Sequence, residues 1–306
     1  MKKDFISLID YSGQEILDLI ALAKELKADN KAGRKHHILD GKTLGMIFTK
    51  SSTRTRVSFE VGMYQLGGQA LFLSSNDIQL GRGESIYDTA NVLSRFLDGI
   101  MIRTYKHSDV TELAKNAAIP VINGLTDLLH PCQVLADLLT ISEYKGDLKG
   151  KKLCYVGDGN NMAHSLLYGC TKVGMDISVA TPDKYKCDET VMGNALKIAA
   201  ETGSKVEFTN NPKQAMENAD AVYTDTWVSM GMEAEKQQRI KDFAGFEVNR
   251  ELMDIAKPDA MFLHCLPAYR GYEVSADVID GKQSAIFDEA ENRLHAQKAV
   301  MATLMK

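Results

Sequence analysis

The run Lys50-Ser51-Ser52-Thr53-Arg54-Thr55-Arg56 concentrates hydroxyl and guanidinium groups between a strand pattern, Thr43 to Phe48, and a helical pattern beginning near Val57. A helix start offers unpaired backbone N–H groups and the positive end of the helix dipole. Such side chains added there make a site for a phosphate. A solvated Ser/Thr loop with exposed arginines has the same composition, but position and charge favour the anion site.

Other segments carry reactive groups and are ambiguous one at a time. His130-Pro131-Cys132-Gln133 places Pro131 at helix position N1 and leaves His130 in the preceding loop. Arg103 follows a third strand pattern, Gly99 to Ile102. Asp225-Thr226-Trp227-Val228-Ser229-Met230-Gly231 follows another strand, where Asp225 could equally cap a strand end and Ser-Met-Gly could be a surface turn. His264-Cys265-Leu266-Pro267 lies near the C-terminus. Gly157-Asp158-Gly159-Asn160-Asn161-Met162 follows a strand and opens a helix, as a dinucleotide fingerprint would. Met162 stands where the third glycine belongs, and its bulk argues against close packing on a pyrophosphate. His36-His37 and His264-Cys265 have no further ligands at helical or hairpin spacing, so no metal is expected.

Together the motifs are specific. Ser52-Thr53-Arg54-Thr55-Arg56 resembles the carbamoyl-phosphate motif of the aspartate and ornithine carbamoyltransferases, and His130-Pro131-Cys132-Gln133 resembles their second motif. Ser229-Met230-Gly231 is similar to the mobile ornithine loop of the family. With His264-Cys265-Leu266-Pro267 the resemblance points to the ornithine branch, because aspartate enzymes lack Cys at this place and need cationic side chains for a dicarboxylate. The resemblance spans essentially the whole chain.

The resemblance implies transfer of a carbamoyl group from carbamoyl phosphate to the side-chain amine of ornithine, giving citrulline and phosphate, with no cofactor. It assigns Ser52, Thr53, Arg54, Thr55, Gln79, Arg103, His130, Gln133, Cys265, Leu266 and Arg293 to carbamoyl phosphate. Gln79 would be supplied across the interface of a trimer. Asn161, Asp225, Ser229 and Met230 would bind the amino-acid end of ornithine, with Cys265 close to the reacting amine. Attack on the carbamoyl carbon builds negative charge on the carbonyl oxygen, which Thr55, Arg103 and His130 would stabilise as fixed donors. Gln133, with backbone carbonyls near Cys265 and Leu266, would hold the carbamoyl NH2. An alkyl ammonium, with a pKa of about 10.4 in water, cannot attack until it loses a proton. Asp225 and Cys265 would orient that amine, with the final proton passing to phosphate. Closure of the Ser229 loop would exclude water.

The elements that must position these groups read as alternating strands and helices, the signature of parallel sheets covered by helices. A helical pattern over Ser12 to Ala28 opens the chain, and strands are expected at 43–48, 70–73, 99–102, 119–122, 152–156, 176–180, 206–208, 221–223 and 260–263. The fold class is α/β, with two doubly wound parallel-sheet domains and an interdomain active-site cleft. The glycine-punctuated stretch Tyr144 to Gly150 suits a boundary between domains at 1–145 and 150–290, with a final helix, 291–306, packing back on the first. Each site residue is expected just beyond the carboxyl end of a strand.

Composition narrows the class further. With 306 residues, 44% hydrophobic and 25% charged, the chain is long enough for two domains. A net charge of -5 without a basic stripe argues against nucleic acid. No run of about 18 apolar residues could span a bilayer, and Met1 to Ser7 does not continue into the apolar run of a signal peptide. A cytoplasmic location is therefore expected, and the five cysteines, an odd number with no C-x-x-C pair, read as reduced thiols. The rivals are a carbamoyltransferase for putrescine or an N-acylated ornithine, a nicotinamide-dependent dehydrogenase, and a non-catalytic anion-binding module.

Overall fold

A computed structural model describes residues 2–228 and 233–306. The chain divides into two compact units, residues 1–139 with 291–306, and residues 140–290.

The first unit holds a four-stranded parallel sheet in the order β2-β1-β3-β4, built from β1 (Thr43–Phe48), β2 (Gln69–Ser74), β3 (Gly99–Arg103) and β4 (Val121–Leu125). Strands β1 and β3 are apolar along nearly their whole length because helices cover both faces. Ile47, Ile100 and Ile102 pack with Ala90 of α3 (Ile86–Leu93) and Val110 and Leu113 of α4 (His107–Asn116). Strand β2 is an edge and differs: Leu71 and Phe72 are each more than a third exposed.

The second unit holds a five-stranded parallel sheet in the order β7-β6-β5-β8-β9, built from β5 (Lys152–Val156), β6 (Asp176–Ala180), β7 (Val206–Thr209), β8 (Ala221–Thr224) and β9 (Met261–Leu263). Cys154, Val156, Val222 and Phe262 form its floor, under Trp227, Phe243 and Phe246. Among the described residues no helix is long and apolar enough to cross a membrane.

All nine expected strands form, within one to two residues of their expected limits except for β4. That strand runs to Leu125 rather than ending at Ile122, and Pro120, which lacks an N–H, stands outside it. The helix after β1, α2 (Thr53–Gln65), differs more. It begins at Thr53 rather than near Val57, because Ser52 is its N-cap and its Oγ accepts from the Thr55 N–H at 3.2 Å. The phosphate-type motif is therefore the first turn of the helix itself.

Strand order locates the sites. In open parallel sheets ligands bind beyond the carboxyl ends of the strands, where the winding reverses direction. In the first unit that point lies between β1 and β3, and in the second between β5 and β8. Ser52 and Arg103 flank the first; Asn161 and Asp225 flank the second.

Candidate active site

In the first unit the side chains converge on Thr55. Its hydroxyl, buried in the first turn of α2 (Thr53–Gln65), receives Arg103 Nη1 at 3.4 Å and Arg293 Nη2 at 3.3 Å. Arg103 is the last residue of β3, at the place where the ladder with β4 shifts register. Such irregularities re-aim a side chain at a sheet end. Arg293 comes from α12 (Ile286–Leu304); its Nη1 donates to Gln133 Oε1 at 2.7 Å and its Nε to Gln297 Oε1 at 2.9 Å. The Gln133 amide, on α5 (Pro131–Lys145), donates in turn to Asp137 Oδ1 at 2.8 Å. With both ends engaged the amide orientation is fixed. Arg103 lies within a strand, and Gln133 and Arg293 on helices, so not every site residue sits just past a strand end.

His130 is buried immediately before α5. Burial, reinforced by the cationic Arg293, Arg103, Lys50 and Arg54, holds its imidazole well below the ordinary histidine value. It is neutral at pH 7, so it can present a ring N–H without carrying charge. At the start of α2 a cavity of about 480 Å³ is lined by Lys50, Ser51, Ser52, Thr53 and Arg56, together with Phe72 and Ser74. Gln79 is exposed on a short 3-10 turn, Gln79–Arg82, and no hydrogen bond joins its side chain to residues 52–56 among the described residues.

In the second unit Asp225 is the centre. Its Oδ1 accepts from the Cys265 thiol at 3.2 Å and from the Thr226 N–H at 2.8 Å, and its Oδ2 accepts from Asn160 Nδ2 at 3.0 Å. Asn160 was not singled out in the sequence. It caps α6 (Asn161–Lys172) through Oδ1, which accepts from the Met162 N–H at 2.9 Å. Its signal was the Asn doublet at a helix start, where the first Asn is the natural N-cap. Asn161 is then the first helical residue.

The loop carrying Cys265 is held from beneath. His264 Nδ1 accepts from the Leu266 N–H at 2.9 Å, and its Nε2 lies 3.2 Å from Glu273 Oε1, which assigns the proton to Nε2. The His264 N–H donates to Glu289 Oε2 at 2.8 Å, whose other oxygen accepts from Tyr223 at 3.2 Å. Leu266 sits at φ +56°, in the left-handed region that costs a branched residue about 1 kcal/mol or more, so this bonding has strain to overcome. Ligand atoms of Asp225, His264 and Cys265 lie within 4.8 Å of one another, but both His264 nitrogens are already engaged in this network. Ser229 and Met230 lie outside the described residues.

The glycine loop does not have the surface a dinucleotide needs. Gly159 N–H donates to Tyr185 O at 2.8 Å, and a Cβ on Gly159 would stand 2.4 Å from the Cys187 nitrogen. Residues 185–187 occupy the face that would meet a pyrophosphate.

Two parallel-sheet units, one with a capped, arginine-rich anion site and the other with a carboxylate–thiol pair, define an α/β enzyme of group transfer from a phosphorylated donor. The chain belongs to the aspartate/ornithine carbamoyltransferase family: residues 3–143 match its carbamoyl-phosphate-binding domain and residues 149–304 its aspartate/ornithine-binding domain. It is 60% identical over 303 residues to the ornithine carbamoyltransferase of Oceanobacillus iheyensis, covering 99% of this chain and 94% of that protein. It is 60% identical over 299 residues to the enzyme of that name from Caldicellulosiruptor saccharolyticus, covering 98% and 97%. The solved ornithine carbamoyltransferase of Pyrococcus furiosus superposes with a TM-score of 0.97 at 56% identity, covering 99% of this chain and 97% of that one.

Proposed function

We propose that this enzyme transfers the carbamoyl group of carbamoyl phosphate to the side-chain amine of L-ornithine, releasing L-citrulline and phosphate. The observation that carries this reading is the convergence of Arg103 and Arg293 on the Thr55 hydroxyl in the first turn of a capped helix. Phosphate departs as an anion toward Ser52, Thr53, Arg54 and the helix terminus. Thr55, Arg103 and the neutral His130 donate to the carbonyl oxygen as it gains charge, where each fixed donor is worth several kcal/mol. Gln133 holds the carbamoyl NH2, and Arg293 keeps Gln133 and Thr55 in place.

The first unit takes the phosphorylated donor and the second the amine. Asp225, Asn161, Ser229 and Met230 bind the amino-acid end, and Asp225 with Cys265 orients the amine in its neutral form. The proton released on attack leaves with phosphate, so no resident base needs regeneration. Carbamoyl phosphate is a mixed anhydride, which favours citrulline formation and a role in arginine biosynthesis. That none of the five cysteines is in a disulfide supports a cytoplasmic location. Exposed Leu71 and Phe72 on the β2 edge, with Val57, Val61 and Tyr64 on α2, form an apolar surface that supports assembly as a homotrimer, the arrangement in which Gln79 serves a neighbouring copy.

The test is product formation from carbamoyl phosphate with ornithine, putrescine, acetylornithine and aspartate offered separately between about pH 7 and 9, where the fraction of free amine rises. Ureido product with ornithine alone is expected. Turnover only with another amine would overturn the acceptor assignment.

A further inference from the structure

Arg239, on α9 (Lys236–Asp242), belongs to none of the motifs named above, yet it is only 6% exposed. One nitrogen, Nη1, donates both to Asp158 Oδ2 at 2.8 Å and to the backbone carbonyl of Trp227 at 3.0 Å. Asp158 belongs to the loop after β5, two residues before the Asn160 cap; Trp227 belongs to the loop after β8, two residues beyond Asp225. The opposite edge of the guanidinium, Nε, donates to Glu235 Oε2 at 2.9 Å, and its plane lies 4.7 Å over the Tyr185 ring. Tyr185 O in turn receives the Gly159 N–H.

We infer that Arg239 is a positioning residue for the amine acceptor, a cross-link that sets the separation of the two loops bearing Asn161 and Asp225. The inference rests on the reading of the second unit as the amine site. A planar guanidinium fork holds acceptors on two separate edges in a fixed spacing, whereas an ammonium is a single point of donors on a flexible stem. The contacts run to Asp158, three residues before Asn161, and to the backbone of Trp227, two residues after Asp225, never to Asp225 or Asn161 themselves. Loss of the fork therefore leaves the reacting groups present and misplaces them, and acceptor geometry is sensitive to shifts of this kind. Asp158 is the matching partner: its carboxyl is buried among the same groups, and Asn160 bonds back to Asp225 at 3.0 Å from the same loop.

The experiment uses the full chain carrying Arg239→Lys and, separately, the charge-neutral pair Asp158→Asn with Arg239→Gln, which leaves no buried charge alone. Steady-state constants are measured for both substrates, and emission of Trp227, the single tryptophan of the chain, reports directly on the loop whose carbonyl Arg239 holds. The expected result is a rise of ten-fold or more in the ornithine KM, a change of less than about three-fold in the carbamoyl phosphate KM, and a red shift of Trp227 emission. Arg239→Lys should recover part of the loss and the neutral pair none of it. Unchanged ornithine KM in both variants, or equal losses for the two substrates, would overturn the inference. Absence of turnover by the unmodified chain would instead sink the reading on which it rests.

Discussion

The Cys265 thiol donates to Asp225 Oδ1 at 3.2 Å, while Asn160 holds the other carboxylate oxygen at 3.0 Å. Asp225 thus reaches its position by two side-chain bonds and one backbone bond before any substrate is present. A carboxylate so fixed can orient an amine that must be uncharged to attack. Replacing Asp225 by Asn should lower kcat/KM for ornithine by about a hundred-fold or more, a usual loss for a group assisting proton removal. The rising limb of the pH profile should move to higher pH. Cys265→Ser, which keeps a donor toward Asp225, should lose less than Cys265→Ala. Identical pH profiles across all three variants would refute this role.

Thr55 receives two guanidinium groups through one hydroxyl, and Arg293 reaches it from a position 238 residues away. Thr55→Val removes that oxygen while conserving shape. Its expected effect is a fall of about a hundred-fold in kcat/KM for carbamoyl phosphate, with weaker product inhibition by phosphate. Arg293→Lys should behave similarly, since an ammonium cannot bond Gln133 and Thr55 together in the fork geometry. Phosphate inhibition unaltered in both variants would remove Thr55 and Arg293 from the anion site.

These two cases mark what the sequence could and could not supply. Ser52 to Arg56 was legible because a contiguous run at a helix start carries both its chemistry and its placement. The parallel sheets were legible for a similar reason, since strands buried on both faces read as unbroken apolar runs. The helix start near Val57 was misplaced because apolar periodicity begins there, five residues after Ser52 has already capped the turn. Asn160, Glu273 and Arg239 act through partners elsewhere in the chain, so nothing local distinguishes them from any other helix cap, buried acid or surface arginine. Arg239 bonds Asp158 across 81 residues. Gln79 stands exposed in the single chain, and its expected role depends on a second copy.

His130 is held neutral by burial and by four surrounding cations. In the proposed mechanism its contribution is a neutral N–H, with no proton exchanged across the working range. Activity should therefore show no inflection assignable to this imidazole between about pH 6 and 9, since its charged form is disfavoured well below the ordinary 6.5. His130→Gln, which retains an N–H donor, should keep about ten-fold more activity than His130→Ala, as expected for a single well-placed donor. Imidazole nitrogen NMR signals tracking a protonation step near neutrality would contradict both statements.

His295 makes the complementary prediction, on stability. It is wholly buried on α12, its two ring nitrogens have no hydrogen-bond partner among the described residues, and Glu291 is 3.8 Å away. Burial first, and then Lys298, Lys27 and Lys31, lower its value to about 3. The folded chain therefore binds fewer protons at this site than the unfolded chain, whose histidine titrates near 6.5. The sign follows: stability is complete above about 6.5 and is lost as pH falls toward the folded value. After allowance for solvent screening the loss should be about 1 kcal/mol between pH 6.5 and 5. His295→Leu, which fills the site without a titrating group, should flatten that slope in denaturant unfolding at the two pH values, leaving stability at pH 8 equal or improved because no unsatisfied ring nitrogen remains buried. An unchanged acid slope in the variant would place the proton uptake elsewhere.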